Sequence, residues 1–419
     1  MILSISVNNF LVFGKQAGMS FIADKSIKKF YSNVCPDGQF DILKSACIYG
    51  ANNVGKTCML KAIAAVKAVL SDVDYSFPVN IFTDSSECKI SVSFAHEGGA
   101  YSYEFVYDSS LQDGQPRGFV YECMCRLSQS GDGTTAERIF VRDCKNGQYY
   151  FEGDQALAEL LPLVSCSNIL IYTVNTQRYP AAAKCREILT AFARSIEVVD
   201  MNNIPIDKTV SVLKNNLSIR ERTVELIKLA DLDIDDYVYS DELSRPATFR
   251  PQENVFSLPD CPEDMYRLTS VHRGKAVRSL TFDSTGTKKM VAIASYIIEA
   301  LTEGKILVVD EIDSSLHFKL TRAIVSLFNN ELNERAQLIF TVHDVTLLDC
   351  RRLFRRDQIW FAAKQNGDVK LYPLSLFFAG GSKAEGDVLE KYKSGDLGAL
   401  PEPDLISVLL GREQDEGQD

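Results

Sequence analysis

A glycine-rich stretch near the amino terminus has the residue types and the spacing of a phosphate-binding loop. Residues 50–57 read Gly-Ala-Asn-Asn-Val-Gly-Lys-Thr and fit the pattern G-x-x-x-x-G-K-[ST] at every position. An apolar run precedes the loop and a stretch with helical spacing follows it, so backbone N–H groups and a helix N-terminus would meet a bound phosphate. Lys56 supplies a charge for the β- and γ-phosphates, and the Thr57 hydroxyl is a Mg²⁺ ligand. The pattern predicts a nucleotide-binding loop, with a glycine turn before an ordinary helix as the alternative. Its predicted binding residues are Gly50, Asn52, Asn53, Gly55, Lys56 and Thr57.

Two carboxylates follow a second apolar run, and their position suits metal and water chemistry. The segment 305–317 reads Lys-Ile-Leu-Val-Val-Asp-Glu-Ile-Asp-Ser-Ser-Leu-His. The run predicts a buried strand that ends in Asp310 and Glu311, at the edge where open α/β sheets bind ligands. Asp310 is therefore predicted to hold Mg²⁺ through water, and Glu311 to orient or deprotonate the attacking water. The alternative is that both carboxylates only cap the following helix.

The chain has four histidines, and two of them fall at the predicted site. Residues 336–344 contain another apolar run, which leads to His343, and His317 closes the segment after Asp310. A neutral imidazole at such a position can reach the γ-phosphate and report its presence, so His343 is predicted to be catalytic together with Glu311. The alternative is a histidine with a structural role only.

A second stretch rich in hydroxyl groups and glycine precedes a predicted helix in the carboxyl-terminal half. Residues 279–290 read Ser-Leu-Thr-Phe-Asp-Ser-Thr-Gly-Thr-Lys-Lys-Met. Ser284 and Gly286 would offer a hydroxyl and backbone N–H groups at a helix start, which makes a second phosphate-binding surface. One chain rarely needs two such surfaces for one nucleotide, whereas two facing chains do. The spacing alone also fits ordinary helix capping.

Length, charge and cysteine usage limit the classes of protein that fit. The 419 residues have a net charge of −11, which argues against a broadly basic nucleic-acid coat but not against a local basic groove. The chain has no apolar segment of about 18 residues, the length of a membrane helix, and its amino terminus lacks the features of a signal peptide. Its eleven scattered cysteines indicate reduced thiols rather than a disulfide framework or a zinc ribbon. We therefore expect a cytoplasmic protein that does not contact a membrane.

The predicted elements place these residues in one α/β fold. From residue 279 onward, apolar runs alternate with helical stretches, which predicts a mostly parallel sheet covered on both faces. Period-two alternation with turn signals over 88–153 predicts an antiparallel layer. Helical spacing dominates from 155 to about 232, and a polar, proline-containing stretch follows at 240–264. The predicted segments are 1–95 with the phosphate loop, 96–154 with the antiparallel layer, 155–250 with the helical insertion, and 251–419 with the other motifs.

In their order and type, these motifs resemble those of the ABC-type P-loop ATPase superfamily. The phosphate loop, the stretch with Ser284 and Gly286, the strand before Asp310 and the strand before His343 follow one another as in those proteins. The chain resembles the soluble SMC/Rad50/OLD-like branch rather than transporter subunits, because a longer segment separates the phosphate loop from Asp310. Within that branch it is similar to prokaryotic AAA-type ATPases of abortive-infection and anti-phage systems, the AbiL/Rlo type. The stretches that carry this likeness are FDSTGTKK (282–289), DEIDSSLH (310–317), TVHDVTLLD (341–349) and RRDQIWF (355–361).

The resemblance implies a P-loop NTPase fold of the ABC-type ATPase head class, with a split, mostly parallel sheet, an inserted antiparallel β layer and a helical insertion. It implies ATP and Mg²⁺ as cofactors, and ATP is favoured over GTP because the chain has no N-K-x-D guanine reader. Two heads would clamp two ATP molecules between them, so that each phosphate loop faces the Ser284 and Gly286 of the other head. The assembly would be a homodimer or a higher even-numbered oligomer. The implied catalytic residues are Glu311 and His343, and the implied metal ligands are Thr57 and Asp310.

For the cellular role, the resemblance implies a sensor or regulator ATPase of an anti-phage system that controls a separate effector protein. The alternative is an SMC- or RecF-like repair ATPase that clamps nucleic acid. A basic cluster before the last predicted strand would then contact phosphates, although a solvated turn explains the same residues. The basic cluster comprises Arg351, Arg352, Arg355 and Arg356, with Trp360 nearby.

For the base of a bound nucleotide, Phe10 and Phe13 are the candidates for stacking on adenine.

Overall fold

The computed structural model describes residues 1–37, 39–112, 115–130, 133–215, 217–230, 233–241, 263–365, 368–378 and 388–399. Most of the polar stretch predicted at 240–264 and the carboxyl-terminal acidic residues lie outside these ranges. The strands, in chain order, are β1 (Ile2–Asn8), β2 (Ala17–Ser20), β3 (Val34–Asp37), β4 (Phe40–Leu43), β5 (Ser45–Tyr49), β6 (Glu87–His96), β7 (Gly99–Gln112), β8 (Gln115–Ser130), β9 (Gly133–Asp143), β10 (Gln148–Phe151), β11 (Ile196–Asp200), β12 (Asp236–Tyr239), β13 (Leu268–His272), β14 (Lys275–Arg278), β15 (Ile306–Asp310), β16 (Gln337–Thr341), β17 (Ile359–Gln365) and β18 (Asp368–Pro373). The α-helices are α1 (Lys56–Leu70), α2 (Gln155–Leu160), α3 (Leu170–Thr173), α4 (Pro180–Arg194), α5 (Asp207–Lys214), α6 (Arg220–Leu229), α7 (Glu263–Tyr266), α8 (Ser279–Phe282), α9 (Thr285–Glu303), α10 (Phe318–Phe328) and α11 (Val388–Lys393).

The phosphate loop follows a strand in the middle of a mainly parallel sheet. Within the described ranges this sheet has the strand order β11-β15-β16-β5-β17-β18, and β18 pairs antiparallel to its neighbour. Side chains of β5 alternate between two hydrophobic cores: Ala46 and Ile48 pack in the core that contains α1, and Cys47 and Tyr49 pack in the core that contains α9 and α10. A parallel sheet covered by helices on both faces needs such continuous apolar strands. The predicted α/β fold is confirmed.

A second, antiparallel sheet covers α1 from the other side. In the described residues its order is β10-β9-β8-β7-β6-β1-β2, and every neighbouring pair is antiparallel. All five strands predicted between residues 88 and 153 are present. The sheet also includes β1 and β2, because the alternating apolar residues of β1, such as Ile5 and Val7, face the same core as those of β6. The antiparallel layer is therefore larger than the predicted 96–154.

The segment predicted to be a helical insertion contributes to the parallel sheet as well. Helix α4 forms as predicted, whereas the helical pattern over 208–232 divides into two helices, α5 and α6. Between α4 and α5, the β-branched run at 196–199 forms β11, which pairs in parallel with β15, and Asp200 lies opposite Asp310. Consequently, the loop after β11 lies at the carboxyl ends of the parallel strands, where the predicted site lies. None of the described helices combines the length and the apolar character that crossing a bilayer requires.

A single buried amide joins the two large sheets. Gln337, the first residue of β16, is fully buried. Its side-chain oxygen accepts a hydrogen bond from the backbone N–H of Ile2 (2.8 Å), and its side-chain nitrogen donates to the carbonyl oxygens of Ile2 (3.1 Å) and Leu43 (3.0 Å). The amide therefore satisfies backbone groups of β1 and β4 from the start of a strand of the parallel sheet.

The antiparallel sheet contains a buried ion pair. Glu122 on β8 and Arg142 on β9 are paired, and neither side chain is exposed to solvent. The carboxylate also accepts hydrogen bonds from the backbone N–H of Leu170 (3.1 Å), and the guanidinium donates to the carbonyl oxygens of Ser165 (2.9 Å) and Asn168 (2.8 Å). These bonds hold the segment 165–170 against the sheet.

Candidate functional site

Two glycines shape the loop between β5 and α1. Gly50 has a φ of 152° and Gly55 a φ of 90°, which L side chains rarely adopt. A Cβ atom on Gly50 would lie 2.4 Å from the carbonyl oxygen of Ala362, and one on Gly55 would lie 2.6 Å from Cγ2 of Val12. Both positions therefore require glycine, for conformation and for space.

A positive charge lies inside this loop. Lys56 is 6% exposed, and its Nζ donates hydrogen bonds to the carbonyl oxygens of Gly50 (2.6 Å) and Ala51 (3.0 Å). Burial lowers the pKa of the ammonium group below its ordinary value, although three nearby carboxylates, chiefly that of Glu311, act in the opposite direction. A phosphate would offer this ammonium group a full negative charge in place of two carbonyl dipoles, so the loop favours an anionic ligand.

The remaining residues predicted for nucleotide binding divide into exposed and buried ones. Asn52 and Asn53 are exposed in the loop, and Asn53 has a φ of 61°. Phe10 and Phe13, the candidates for stacking on adenine, are fully buried in the core beside α1. Because neither ring offers a face to solvent, that prediction is wrong.

Two oxygen ligands suited to Mg²⁺ meet at the carboxyl ends of β5 and β15. Thr57 Oγ1 donates a hydrogen bond to Asp310 Oδ1 at 3.1 Å, and Thr341 Oγ1 at the end of β16 donates to the same oxygen at 2.5 Å. Neighbouring ligands of an octahedral Mg²⁺ ion lie about 3 Å apart, given metal–oxygen distances of about 2.1 Å. Thr57 and Asp310 therefore fit the ion. The described residues contain no cluster of three or more His, Cys, Asp or Glu side chains suited to a metal, so phosphate oxygens and water would complete the coordination.

The carboxylate of Glu311 is held between two polar side chains. Asn202, in the loop after β11, donates its amide Nδ2 hydrogen to Glu311 Oε2 at 2.7 Å. His343 Nε2 lies 3.6 Å from Glu311 Oε1, and the imidazole is exposed. Glu311 has a φ of 52°, and its backbone N–H donates to Thr341 Oγ1 at 2.7 Å. The structure thus brings the two predicted catalytic residues together beside the predicted metal ligand Asp310.

A third carboxylate positions the backbone at His343. Asp313 Oδ2 accepts hydrogen bonds from the backbone N–H groups of His343 (3.0 Å) and Asp344 (2.7 Å). The other oxygen, Asp313 Oδ1, is buried and has no hydrogen-bond partner in the described part of the chain. Asp313 therefore fixes the loop that presents His343, and its Oδ1 atom remains available to accept a hydrogen bond.

Ser284 and Gly286 lie at the start of α9. Ser284 caps the helix, because its Oγ accepts a hydrogen bond from the backbone N–H of Thr287 at 3.1 Å. A Cβ atom on Gly286 would lie 2.6 Å from the carbonyl oxygen of Ser315, so glycine lets α9 approach the loop after β15 closely. Within the described residues, no hydrogen bond or ion pair joins Ser284 or Gly286 to 50–57.

A chain of hydrogen bonds connects α9 to Glu311. Lys289 Nζ donates to Ser314 Oγ at 2.9 Å, Ser314 Oγ donates to Asn202 Oδ1 at 2.8 Å, and Asn202 donates to the Glu311 carboxylate. The start of α9, the loop after β15 and the loop after β11 are therefore coupled through side chains.

The structure gives His317 a local role. It is exposed at the start of α10, where Nδ1 faces the backbone N–H of Lys319 at 3.4 Å in the position of a helix cap. His343, and not His317, is the histidine within ion-pair distance of Glu311.

The predicted basic cluster is divided between the core and the surface. Arg355 is 3% exposed, pairs with Asp357 at 2.8 Å, and donates to the carbonyl oxygens of Asp24, Ile27 and Lys29 at 3.0 Å. Trp360 is 7% exposed in β17. Neither side chain is available to nucleic acid, because Arg355 is used to join two segments and Trp360 packs in the core. The prediction that these two residues belong to a nucleic-acid surface is wrong.

Several residues of the site escaped the sequence analysis. Thr341 ends a predicted strand, and Asp313 and Lys289 lie within motifs that were identified, yet their partners come from other segments. Asn202 lies near the end of the run Glu-Val-Val-Asp-Met-Asn-Asn at 197–203. This run has the same form as the strand before Asp310, an apolar stretch that ends in an acidic residue, and that likeness was the available signal.

Comparison with known families gives one match. Residues 177–349 match the family described as "AAA domain, putative AbiEii toxin, Type IV TA system". The matched range includes β11, the start of α9, the strand before Asp310 and His343. The match covers less than half of the chain and does not include the phosphate loop. Strand β5, the loop 50–57 and helix α1 form a P-loop within a mainly parallel sheet, so the chain has a P-loop fold.

Solved structures of SMC heads are similar to this chain at low identity. The SMC head domain from Thermotoga maritima is 14% identical, with a TM-score of 0.43, and the match covers 89% of this chain and 98% of that one. An SMC head bound to the C-terminal winged-helix domain of ScpA is 14% identical, with a TM-score of 0.46 and coverage of 90% and 99%. An SMC head with an extended coiled coil, bound to the C-terminal domain of ScpA from Pyrococcus furiosus, is 13% identical, with a TM-score of 0.42 and coverage of 94% and 99%. These scores are too low to support an inference about function. No curated protein has a significant match to the chain.

Proposed function

We propose that the chain binds ATP with Mg²⁺ and hydrolyses it to ADP and phosphate. The observation that carries this proposal is the convergence of Lys56, Thr57, Asp310, Glu311 and His343 at adjoining ends of parallel strands. The hydrogen bond between Thr57 and Asp310 links the phosphate loop to the end of β15. His343, after the end of β16, lies within ion-pair distance of Glu311, after the end of β15.

Each side chain has a task that follows from its chemistry. The Lys56 ammonium exchanges its carbonyl partners for phosphate oxygens, and the hydroxyl of Thr57 and the carboxylate of Asp310 hold Mg²⁺, which neutralises phosphate charge when bound. Glu311 is a carboxylate that can take a proton from the attacking water, and Asn202 fixes its orientation. His343, exposed beside Glu311, can donate a hydrogen bond to the γ-phosphate. Gly50, Asn52, Asn53 and Gly55 shape the loop whose N–H groups meet the phosphates.

We further propose that two heads associate through ATP. Ser284 and Gly286 lie at the start of the nineteen-residue helix α9, and within the described residues neither is hydrogen-bonded to the phosphate loop of its own chain. A hydroxyl and free backbone N–H groups at a helix start are suited to phosphate. A second head could place this surface over the ATP of the first, so the assembly would be a homodimer or a higher even-numbered oligomer.

For the cellular role, we propose a cytoplasmic sensor or regulator of an anti-phage system that controls a separate effector protein. Two observations support this role: the motifs of the chain resemble those of abortive-infection ATPases, and the matching family is described by a toxin of a toxin–antitoxin system. Clamping of nucleic acid is less well supported, because Arg355 and Trp360 are buried.

The test is a Glu311→Gln variant co-expressed with its native genomic neighbours and weighed by native mass spectrometry with Mg-ATP. Glutamine keeps an oxygen that can accept from Asn202 but cannot take a proton, so ATP should remain bound and the dimer should accumulate. The control is Glu331→Gln, which removes an exposed carboxylate outside the site. A dimer that carries a second protein supports the regulator role, whereas a dimer that carries only nucleic acid contradicts it. A monomer under all conditions contradicts the proposed association.

A further inference from the structure

A large cavity lies away from the phosphate loop. It has a volume of about 930 Å³ and is lined by residues from four segments, 24–30, 346–356, 375–378 and 388–389. No residue of the phosphate loop, nor Asp310, Glu311 or His343, is among its described lining residues. We refer to it as the basic cavity. Its wall at Arg355 adjoins the amino end of β17, whereas the phosphate loop follows the carboxyl end of the parallel strand β5. Its wall at Thr346 lies three residues after His343 in the sequence.

The charge on the lining is unusual for a chain with a net charge of −11. Two carboxylates line the cavity among the described residues, and one of them, Asp349, is paired with Arg322 at 2.9 Å outside it. Burial raises the pKa of Asp349, yet the hydrogen bonds from Arg322 and from backbone N–H groups outweigh it, and the pKa lies below its ordinary value. The other carboxylate, Asp24, is exposed. The basic residues of the lining are Lys28, Lys29, Arg351, Arg352, Arg355 and Arg356.

Buried hydrogen bonds join the backbone segments that carry these cations, and the side chains of Lys28 and Arg352 are exposed. The buried guanidinium of Arg355 binds the carbonyl oxygens of Asp24, Ile27 and Lys29, which joins the segment 24–30 to the segment before β17. Asp357 neutralises Arg355 and also accepts from the backbone N–H of Asp24 at 2.8 Å. This frame places Lys28 and Arg352 on one cavity, and neither side chain has an ion-pair partner within the described ranges. Holding like charges together without a counter-ion costs electrostatic energy that a bound anion recovers.

Two cationic side chains lie over one aromatic ring at the side of the cavity. The Arg356 guanidinium lies 4.2 Å from the ring centroid of Phe378, and the Lys391 ammonium lies 4.8 Å from the same centroid. Phe378 lines the cavity together with other apolar side chains, and Phe30 does so with a φ of 55°, a conformation that is uncommon for a bulky residue. The remaining apolar lining residues are Ile27, Leu348, Phe354, Leu376, Val388 and Leu389. The cavity therefore combines cations for an anion with apolar walls for a flat ring.

We propose that the basic cavity binds a nucleotide, a small ligand with more than one phosphate group and an aromatic base, at a site separate from the phosphate loop. The volume lies in the range of small-molecule sites, about 300–1,000 Å³. Phosphate groups match Lys28, Arg352 and Arg356, and arginine forks bind phosphate oxygens in pairs. The base matches the exposed side chain of Leu376 and the partly exposed side chains of Ile27 and Phe30. A nucleic-acid strand is less suitable, because the site is a cavity rather than a continuous basic stripe. The proposal does not depend on ATP hydrolysis at the other site.

The test uses the full chain with Lys56→Ala, so that the charge of the phosphate loop is absent. Binding of ADP and of inorganic tripolyphosphate is measured by isothermal titration calorimetry at two salt concentrations. The same titrations are repeated after adding Lys28→Gln with Arg352→Gln. The matched control adds Lys184→Gln with Lys228→Gln, which removes the same charge from exposed positions on α4 and α6. Circular dichroism confirms that the three substituted chains are folded.

We expect saturable ADP binding in Lys56→Ala, at least tenfold weaker with Lys28→Gln and Arg352→Gln and changed less than twofold in the control. Tripolyphosphate should compete with ADP but bind more weakly, because it lacks a ring, and both affinities should fall as salt rises. No saturable binding, or an equal loss in the control, overturns the proposal. So does a single-stranded oligonucleotide that binds through Lys28 and Arg352 at least tenfold more tightly than ADP, because the ligand class would then be nucleic acid.

Discussion

The side-chain amide of Asn202 donates a hydrogen bond of 2.7 Å to Glu311, a residue 109 positions further along the chain. The two meet because β11 and β15 are neighbours in the parallel sheet, with Asp200 opposite Asp310. Asn202 also accepts from Ser314 at 2.8 Å, so its amide cannot rotate without breaking two hydrogen bonds. Glu311 is therefore oriented by a residue that no nucleotide-binding motif contains.

The first prediction concerns Asn202→Asp. The substitution replaces the hydrogen-bond donor beside Glu311 by a negatively charged acceptor, so the Glu311 carboxylate is repelled and loses the contact that fixes its orientation toward the attacking water. At neutral pH, kcat should fall about tenfold while KM changes less than twofold.

The control for this prediction is Asn203→Asp. Asn203 is adjacent and exposed, and its amide donates to Asp200 Oδ2 at 3.1 Å rather than to Glu311. Its kcat should match that of the unsubstituted chain. Equal losses of kcat in both variants would mean that general negative charge, and not the contact with Glu311, causes the loss.

The second prediction concerns the charge of Lys56. Lys56→Ala should weaken ATP binding at least tenfold, because the phosphates lose a charge-assisted partner. In the unsubstituted chain, burial lowers the pKa of Lys56 from its ordinary 10.5, so the ammonium group loses its proton at a pH below that value. ATP affinity should therefore decline as pH rises toward 10.5, as measured by anisotropy of a labelled nucleotide. Lys61→Ala, at an exposed position of α1, should retain both the affinity and the decline, and an unchanged affinity in Lys56→Ala would contradict the phosphate-loop assignment.

The third prediction separates the capping role of Ser284 from its proposed contact with a second head. Ser284→Asp keeps an oxygen that caps α9, so the helix should remain stable. Its negative charge would face the phosphates of the other head, and hydrolysis should fall at least about 100-fold while ATP affinity changes less than twofold. Ser284→Ala loses the cap, at about 1 kcal/mol of unfolding free energy. Normal turnover in Ser284→Asp would show that Ser284 acts only within its own chain.

The fourth prediction concerns stability. Arg142→Met leaves the buried carboxylate of Glu122 without its partner and should lower the unfolding free energy by about 3–5 kcal/mol in a urea titration. Arg126→Met, which removes a half-exposed arginine paired with Glu137 and Glu152, should lower it by less than about 1 kcal/mol. Replacing Glu122 by leucine in the Arg142→Met chain should recover part of the loss, because no unpaired charge remains. Equal losses of unfolding free energy in Arg142→Met and Arg126→Met would show that burial does not determine how much each ion pair contributes.

The sequence predicted those parts of the fold that depend on local patterns. The strand before Gly50, the five antiparallel strands and the strands before Asp310 and His343 lie where alternation or apolar runs indicated. The phosphate loop was recognisable because its eight residues are contiguous and their conformations require glycine at Gly50 and Gly55.

The remaining features depend on contacts between distant segments. Strand β11 has five residues within helical surroundings, and its place beside β15 follows from tertiary pairing rather than from its own pattern. For the same reason, the role of Asn202 was not visible. Arg355 is surface-like in sequence but buried, since the carbonyl groups that bind it belong to residues 24–29, more than 300 positions away.

The buried Gln337 has a consequence for the proposed Mg²⁺ site at the other end of its strand. β16 is five residues long: Gln337, its first residue, bonds backbone groups of β1 and β4, and Thr341, its last residue, bonds Asp310 and Glu311. A strand of this length is nearly inextensible, so its two ends keep a fixed separation. A shift of β1 would therefore be transmitted along β16 to Thr341 and to Asp310, the proposed Mg²⁺ ligand.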